Sequence, residues 1–251
     1  MIDWLSLTQS ELIALILICF LAGVVRGFSG FALSALVMAS AVLFLAPVEL
    51  IPILWFLEMS ASLLMARGGW KDADRKAALT LVLGNMVGWP VGLSLTTNIS
   101  ITASKNTALV IVLVLAATQL AKLRLSFLAT NWGTALTGVI AGVVSGLAHV
   151  GGMIVALYAL SRDADARTMR GTLVTFLFLA SIGSLFFQIG FGVMDKTSIA
   201  RAAILVPPTI FGVWLGQKTF NDKWQKYYRP FCLWLLIALA GFALVRQILS
   251  F

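Results

Sequence analysis

Apolar residues along this 251-residue chain come in long unbroken runs, with polar residues confined to short stretches between them. The runs are 12–25, 28–46, 48–66, 77–95 and 103–121 in the first half, and 132–160, 172–191, 199–215 and 231–248 in the second. Most approach the roughly 20 residues that a helix needs to cross a bilayer. Strict alternation over about ten residues, the mark of a membrane barrel strand, is absent. The pattern predicts an all-α, polytopic integral membrane protein, a single domain over 1–251. The run 132–160 is too long for one perpendicular helix and is broken by "GLAHVGG". The runs 28–46 and 148–160 read either as full spans or as re-entrant half-helices, which sets the expectation at 8–10 spans.

Composition agrees with this reading. Hydrophobic residues make up 60% and charged residues 11%, against roughly a quarter charged in soluble domains. The net charge of +8 comes from short loops, as the positive-inside rule expects. No basic patch is interleaved with stacking aromatics, so nucleic acid is not an expected partner; membrane lipid is. The N-terminus "MIDWLSLTQSE" lacks the basic start of a cleaved signal peptide. Cys19 and Cys232 lie in apolar runs and read as small hydrophobes. One histidine and two separated cysteines cannot build the usual zinc sites, and no hydrolase or phosphate-loop signature is present. No metal, cofactor or enzyme activity is expected.

Two short matches point to an internal duplication. "AGVVRG" at 22–27 returns as "AGVVSG" at 141–146, an offset of 119 (141 − 22). "GWPVG" at 88–92 returns as "GVWLG" at 212–216, an offset of 124 (212 − 88). Repeats over about 10–124 and 129–250, each of about five helical segments, follow. The loop 67–76 carries Arg67, Lys71, Arg75 and Lys76, whereas its counterpart at 191–198 carries only Lys196. The reverse holds for 97–105, with Lys105 alone, and 216–229, with Lys218, Lys223, Lys226 and Arg229. Basic loops on opposite ends of the two halves predict inverted repeats. This arrangement places Lys122, Arg124 and the 162–170 loop on the cytoplasmic side and both termini outside.

Gly84, Gly88 and Gly92, Gly138, Gly142 and Gly146, and Gly212 and Gly216 follow the small-xxx-small spacing that lets membrane helices approach closely. These faces pack either within the chain or between two copies in a homodimer. "RGFSG" and "GLAHVGG" are different, because they combine glycines with polar groups and interrupt apolar runs. They suit broken helices whose free N–H groups bind an anion. The candidate anion-binding residues are Arg26, Ser29, Gly30, Ser34, His149, Gly151 and Gly152. Arg26 either faces the shared cavity or snorkels to the surface; the cavity is the preferred alternative. Glu58 either pairs with a cation such as Arg26 or titrates as a coupling carboxylate. Asn85 and Gln188 read as hydrogen bonds between helices or as further polar candidates. The tryptophans Trp55, Trp70, Trp89, Trp214 and Trp224 read as packing or interfacial aromatics.

"VSGLAHVGGMIVALYAL" (144–160), "VRGFSGFALSALVMA" (25–39) and "GGWKDADRKAALTLVLGNMVGWPVG" (68–92) together resemble the TauE/SafE sulfite exporter family, also called toluene-sulfonate uptake permeases. The first-half motif has Arg and GFSGF where the family has a glycine run. The resemblance implies a multi-pass carrier of the bacterial inner membrane for sulfur-containing oxyanions such as sulfite, sulfoacetate or other organosulfonates. It implies a small anionic substrate and alternating access between the halves. An anion channel or pore and a non-transporting scaffold subunit are the competing readings.

Overall fold

The computed structural model describes residues 5–123, 126–162, 165–218 and 222–249. Arg124 lies outside the described residues, as do the side chains of Arg67, Lys223, Trp224, Lys226 and Arg229. The described chain forms α1 (Gln9–Ser29), α2 (Leu33–Ala41), α3 (Pro47–Asp72), α4 (Arg75–Asn98) and α5 (Ile101–Leu120). A 3-10 turn at Ser126–Ala129 leads into α6 (Asn131–Ala148), α7 (Gly151–Ser161), α8 (Ala166–Gly190), α9 (Lys196–Lys218) and α10 (Asp222–Leu249).

Eight of these helices are long and apolar enough to cross a membrane. The chain is a polytopic helical membrane protein. α2 has nine residues and α7 eleven, which at about 1.5 Å per residue is roughly half the 30 Å hydrocarbon core. Both are half-helices.

The ends of the long helices are chemically marked. Thr8 accepts from Glu11 N while the Glu11 carboxylate accepts from Thr8 N, a capping box that starts α1. Asp74, Ser100 and Thr130 cap α4, α5 and α6 through their side chains.

The helix faces differ in size rather than polarity. On α4, Leu79, Leu83, Val87, Val91 and Leu95 are exposed, and Gly84, Gly88 and Gly92 are buried on the opposite side against α6. A methyl group on Gly88 would land on the Val139 carbonyl, and one on Gly142 on the Asn85 carbonyl. Gly23 and Gly27 of α1 meet Thr209 and Val213 of α9 in the same way, with Gly212 and Gly216 returning the contact to Phe20 and Val24. Lipid tails are as apolar as leucine, so association rests on such close backbone packing. All these glycine faces are used within the chain.

The contacts also give helix directions. Gly84, Gly88 and Gly92 meet Ala135, Val139 and Val143 in ascending order, so α4 and α6 run parallel. α1 and α9 run parallel by the same criterion. α3 and α8 run antiparallel: Trp55 donates to the Ser181 carbonyl, while Gly69 lies against Val174. Arg201 at the start of α9 donates to the Leu5 carbonyl at 2.9 Å and pairs with Glu49 of α3 at 3.1 Å. The starts of α1, α3 and α9 therefore share one side, and residues 30–46 carry the chain back across from the end of α1. At the opposite side Asp74 N donates to Thr172 Oγ1 at 3.0 Å, and Arg162 lies 3.6 Å from Asp74. That side gathers the basic 67–76 segment, Arg162 and the start of α8 with Arg167 and Arg170.

Packing partners recur when elements are shifted by five. α4 packs on α6 and α9 on α1; α3 packs on α9 and α8 on α4; α2 packs on α10 and α7 on α5. The pairs α3–α8 and α5–α10 join an element to its own counterpart.

Candidate functional site

Both helix breaks are built by left-handed residues. α1 ends at Gly30 (φ 80°), whose N–H bonds the Arg26 carbonyl at 2.8 Å. α6 ends at His149 (φ 56°), whose N–H bonds the Ser145 carbonyl at 2.8 Å. Thr96 Oγ1 of α4 donates to the carbonyls of Gly146 and Leu147 in the last turn of α6, at 3.0 and 3.3 Å. Arg170 Nη2 of α8 serves the end of α1, donating to the Gly27 carbonyl at 2.8 Å. Broken backbone inside a bilayer persists only with such internal partners.

The two breaks meet. Ala32, Ser34 and Ala35 from the start of α2 face His149, Gly152 and Met153 across a cavity that Glu58 and Leu177 complete. Glu58 lies near the middle of the α3 span Pro47–Ala66, and Leu177 near the middle of the α8 span Arg167–Gly190. The free space is about 10 Å³, close to the lower limit for one water molecule. A space of that size does not hold an oxyanion with several heavy atoms.

Glu58 is the centre of the polar network. Its Oε1 accepts from Ser34 Oγ at 2.7 Å and from Ser34 N, in the first turn of α2, at 3.3 Å. Its Oε2 lies 3.2 Å from Arg26 Nε. Arg26 Nη2 donates to Ser62 Oγ at 2.9 Å. Arg26 is fully buried and Glu58 is 3% exposed, so Arg26 faces the protein interior and does not snorkel; it reaches the cavity only through Glu58 and is not among the lining residues. The carboxylate sits where the positive end of α2 and a guanidinium converge, which is the chemistry of an anion site.

The other sequence-derived candidates distribute as follows. Ser34, His149 and Gly152 line the cavity. Gly151 is packed against Ser145 and Ala141. Gly30 is the left-handed turn and lies against Arg170. Ser29 is not directed to the cavity; its hydroxyl donates to the Val25 and Phe31 carbonyls and closes the end of α1. Asn85 and Gln188 are fully buried outside the cavity lining, and their side chains make no hydrogen bond among the described residues. Trp89 packs edge-on against His149 and stacks on Phe187.

Two participants went unremarked in the sequence. Ser62 lies one turn beyond Glu58, and that i, i+4 spacing is a usable signal. Arg170 gives no local signal, because it belongs to a charged loop and reaches α1 only through the tertiary fold. It also lines a cleft of about 230 Å³ on the basic side, together with Arg167, Asp72, Gly68, Gly69 and Gly171.

The family model of the sulfite exporter TauE/SafE matches residues 15–243. The chain belongs to the TauE/SafE family. The match includes both breaks and every residue of the cavity. No curated protein and no solved structure matches the chain. The sequence resemblance thus holds over almost the full length, and TauE/SafE membership makes this multi-pass protein one of a transporter family.

Proposed function

We propose that this TauE/SafE protein carries sulfur-containing oxyanions, such as sulfite or organosulfonates, out across the bacterial inner membrane by alternating access. The observation that carries the reading is the convergence of two helix breaks on one mid-span cavity lined by Glu58, whose carboxylate pairs with the buried Arg26. Charged residues at that depth are costly and mark solute pathways by default.

The halves act as inverted repeats. Their packing partners exchange on a shift of five elements, and α3 opposes α8 in direction. Rocking of one half on the other separates α2 from α7 and opens the cavity in turn to each side. The basic side faces the cytoplasm, and the Arg167–Arg170 cleft is the mouth through which anions approach. The small cavity volume corresponds to a closed stage of this cycle.

A thermal-shift series with purified protein tests the substrate class. Sulfite or a sulfonate is expected to raise the melting temperature in proportion to its concentration, since a ligand of the native state stabilises it by mass action. Stabilisation by a cation or a neutral solute, with none by any sulfur oxyanion, contradicts the assignment. A scaffold subunit would respond to none of them.

A further inference from the structure

Resting on the anion-transport reading, we propose that Glu58 is a tethered occupant of the substrate's own anion site. A substrate anion takes the place of its charge only as Glu58 takes up one proton.

The geometry is that of a filled anion site. One carboxylate oxygen is held by the hydroxyl and backbone N–H of Ser34 in the first turn of α2, and the other lies against Arg26. Donors for a second anion remain. Arg26 Nη1, on the guanidinium that pairs with Glu58, is buried and makes no hydrogen bond among the described residues, and neither does Nδ1 of His149, which lines the cavity with Glu58. Two full negative charges cannot share one buried guanidinium cheaply, because in a desolvated site their repulsion is scarcely screened. Entry of the anion with a proton on Glu58 leaves the net charge of the site unchanged. The neutral carboxylic acid then becomes a donor to the anion. By reciprocity, protonation tightens anion binding to the same degree.

The charged and titratable groups around Glu58 are few. α1 brings Arg26, the α6–α7 connection brings His149, and α8 brings Arg170 at the end of α1. α2 has no titratable side chain, and α7 has only Tyr158, which bonds Arg162 on the basic side. The pair Glu49–Arg201 lies at the opposite end of α3.

Calorimetric titration of the purified full chain with methanesulfonate, which stays anionic throughout, tests the proposal. It is run between pH 6 and 8 in buffers of different ionisation enthalpy. The wild type is expected to take up about one proton per anion, with affinity rising up to about tenfold per unit fall in pH. Glu58→Gln is expected to bind at least about tenfold more tightly at pH 8, with no proton uptake and no pH slope. Binding to the wild type without proton uptake overturns the proposal, as does uptake that persists in Glu58→Gln and so belongs to His149. If acetate gives the proton-linked signal while methanesulfonate binds neither protein, the role of Glu58 stands and the sulfur assignment falls. A protein that binds neither anion overturns both. Should Glu58→Gln fail to fold, His149→Asn takes its place: proton uptake that persists there supports Glu58, and uptake that disappears belongs to His149 and overturns the proposal.

Discussion

Gly30 and His149, 119 positions apart (149 − 30), terminate α1 and α6 by the same left-handed turn and the same backbone bond four residues back. A histidine in that conformation is strained, because a side chain there crowds the backbone. His149→Gly is expected to leave the melting temperature unchanged or raise it. His149→Val is expected to lower stability by about 1–2 kcal/mol, since a β-branched residue tolerates the turn least. Thermal unfolding in detergent checks both.

The glycine seams give a sharper contrast. A Cβ on Gly88 or Gly216 would meet the backbone carbonyl of Val139 or Val24, which cannot yield without moving a helix. Gly88→Ala and Gly216→Ala are each expected to cost about 3 kcal/mol or more. Gly241→Ala on α10 meets nothing within 4 Å and is expected to stabilise by up to about 1 kcal/mol through helix propensity. Chemical denaturation of the three variants measures the difference.

The buried pair behaves as a unit. Arg26→Met leaves the Glu58 carboxylate buried without its cation and is expected to cost about 3–5 kcal/mol. Arg26→Met combined with Glu58→Met removes both charges and is expected to recover most of that loss, while binding no anion. A double-mutant cycle on melting temperature, with sulfite binding as second readout, checks it.

An acid-side effect is expected from Asp195, outside the spans, whose carboxylate accepts from Ser198 N at 2.8 Å at the start of α9. Hydrogen bonding with Ser198 holds its pKa below the ordinary carboxylate value. The folded value is the lower one, so the stabilisation is present above the unfolded pKa and is lost as pH falls through the folded one. Asp195→Ala is expected to cost about 1 kcal/mol at neutral pH and less once the wild type is protonated, when only the weaker neutral cap is left to lose. Asp195→Asn, which also caps, is expected to keep most of the stability at both.

The helices and their breaks were legible from the chain because lipid imposes one requirement, internal satisfaction of the backbone, and sequence reports it directly. The runs at 28–46 and 148–160 resolve into half-helices, since the left-handed turns at Gly30 and His149 consume part of each run. The offset of 119 that pairs Arg26 with Ser145 also pairs Glu58 with Leu177 (177 − 58), and both of the latter line the cavity. The ion pair therefore belongs to one half alone. Ser29 was misleading because a serine at a helix end serves its own carbonyls as readily as a ligand. Arg170 was invisible because its contact with Gly27 spans 143 positions.

The central claim is that the cavity between the breaks binds and carries a sulfur oxyanion through Arg26. Counterflow of labelled sulfite in proteoliposomes tests it most directly, comparing the wild type with Arg26→Gln. Saturable exchange in the wild type that disappears in a folded Arg26→Gln protein is the expected result. Flux that does not saturate, or saturable exchange that Arg26→Gln leaves intact, contradicts the account.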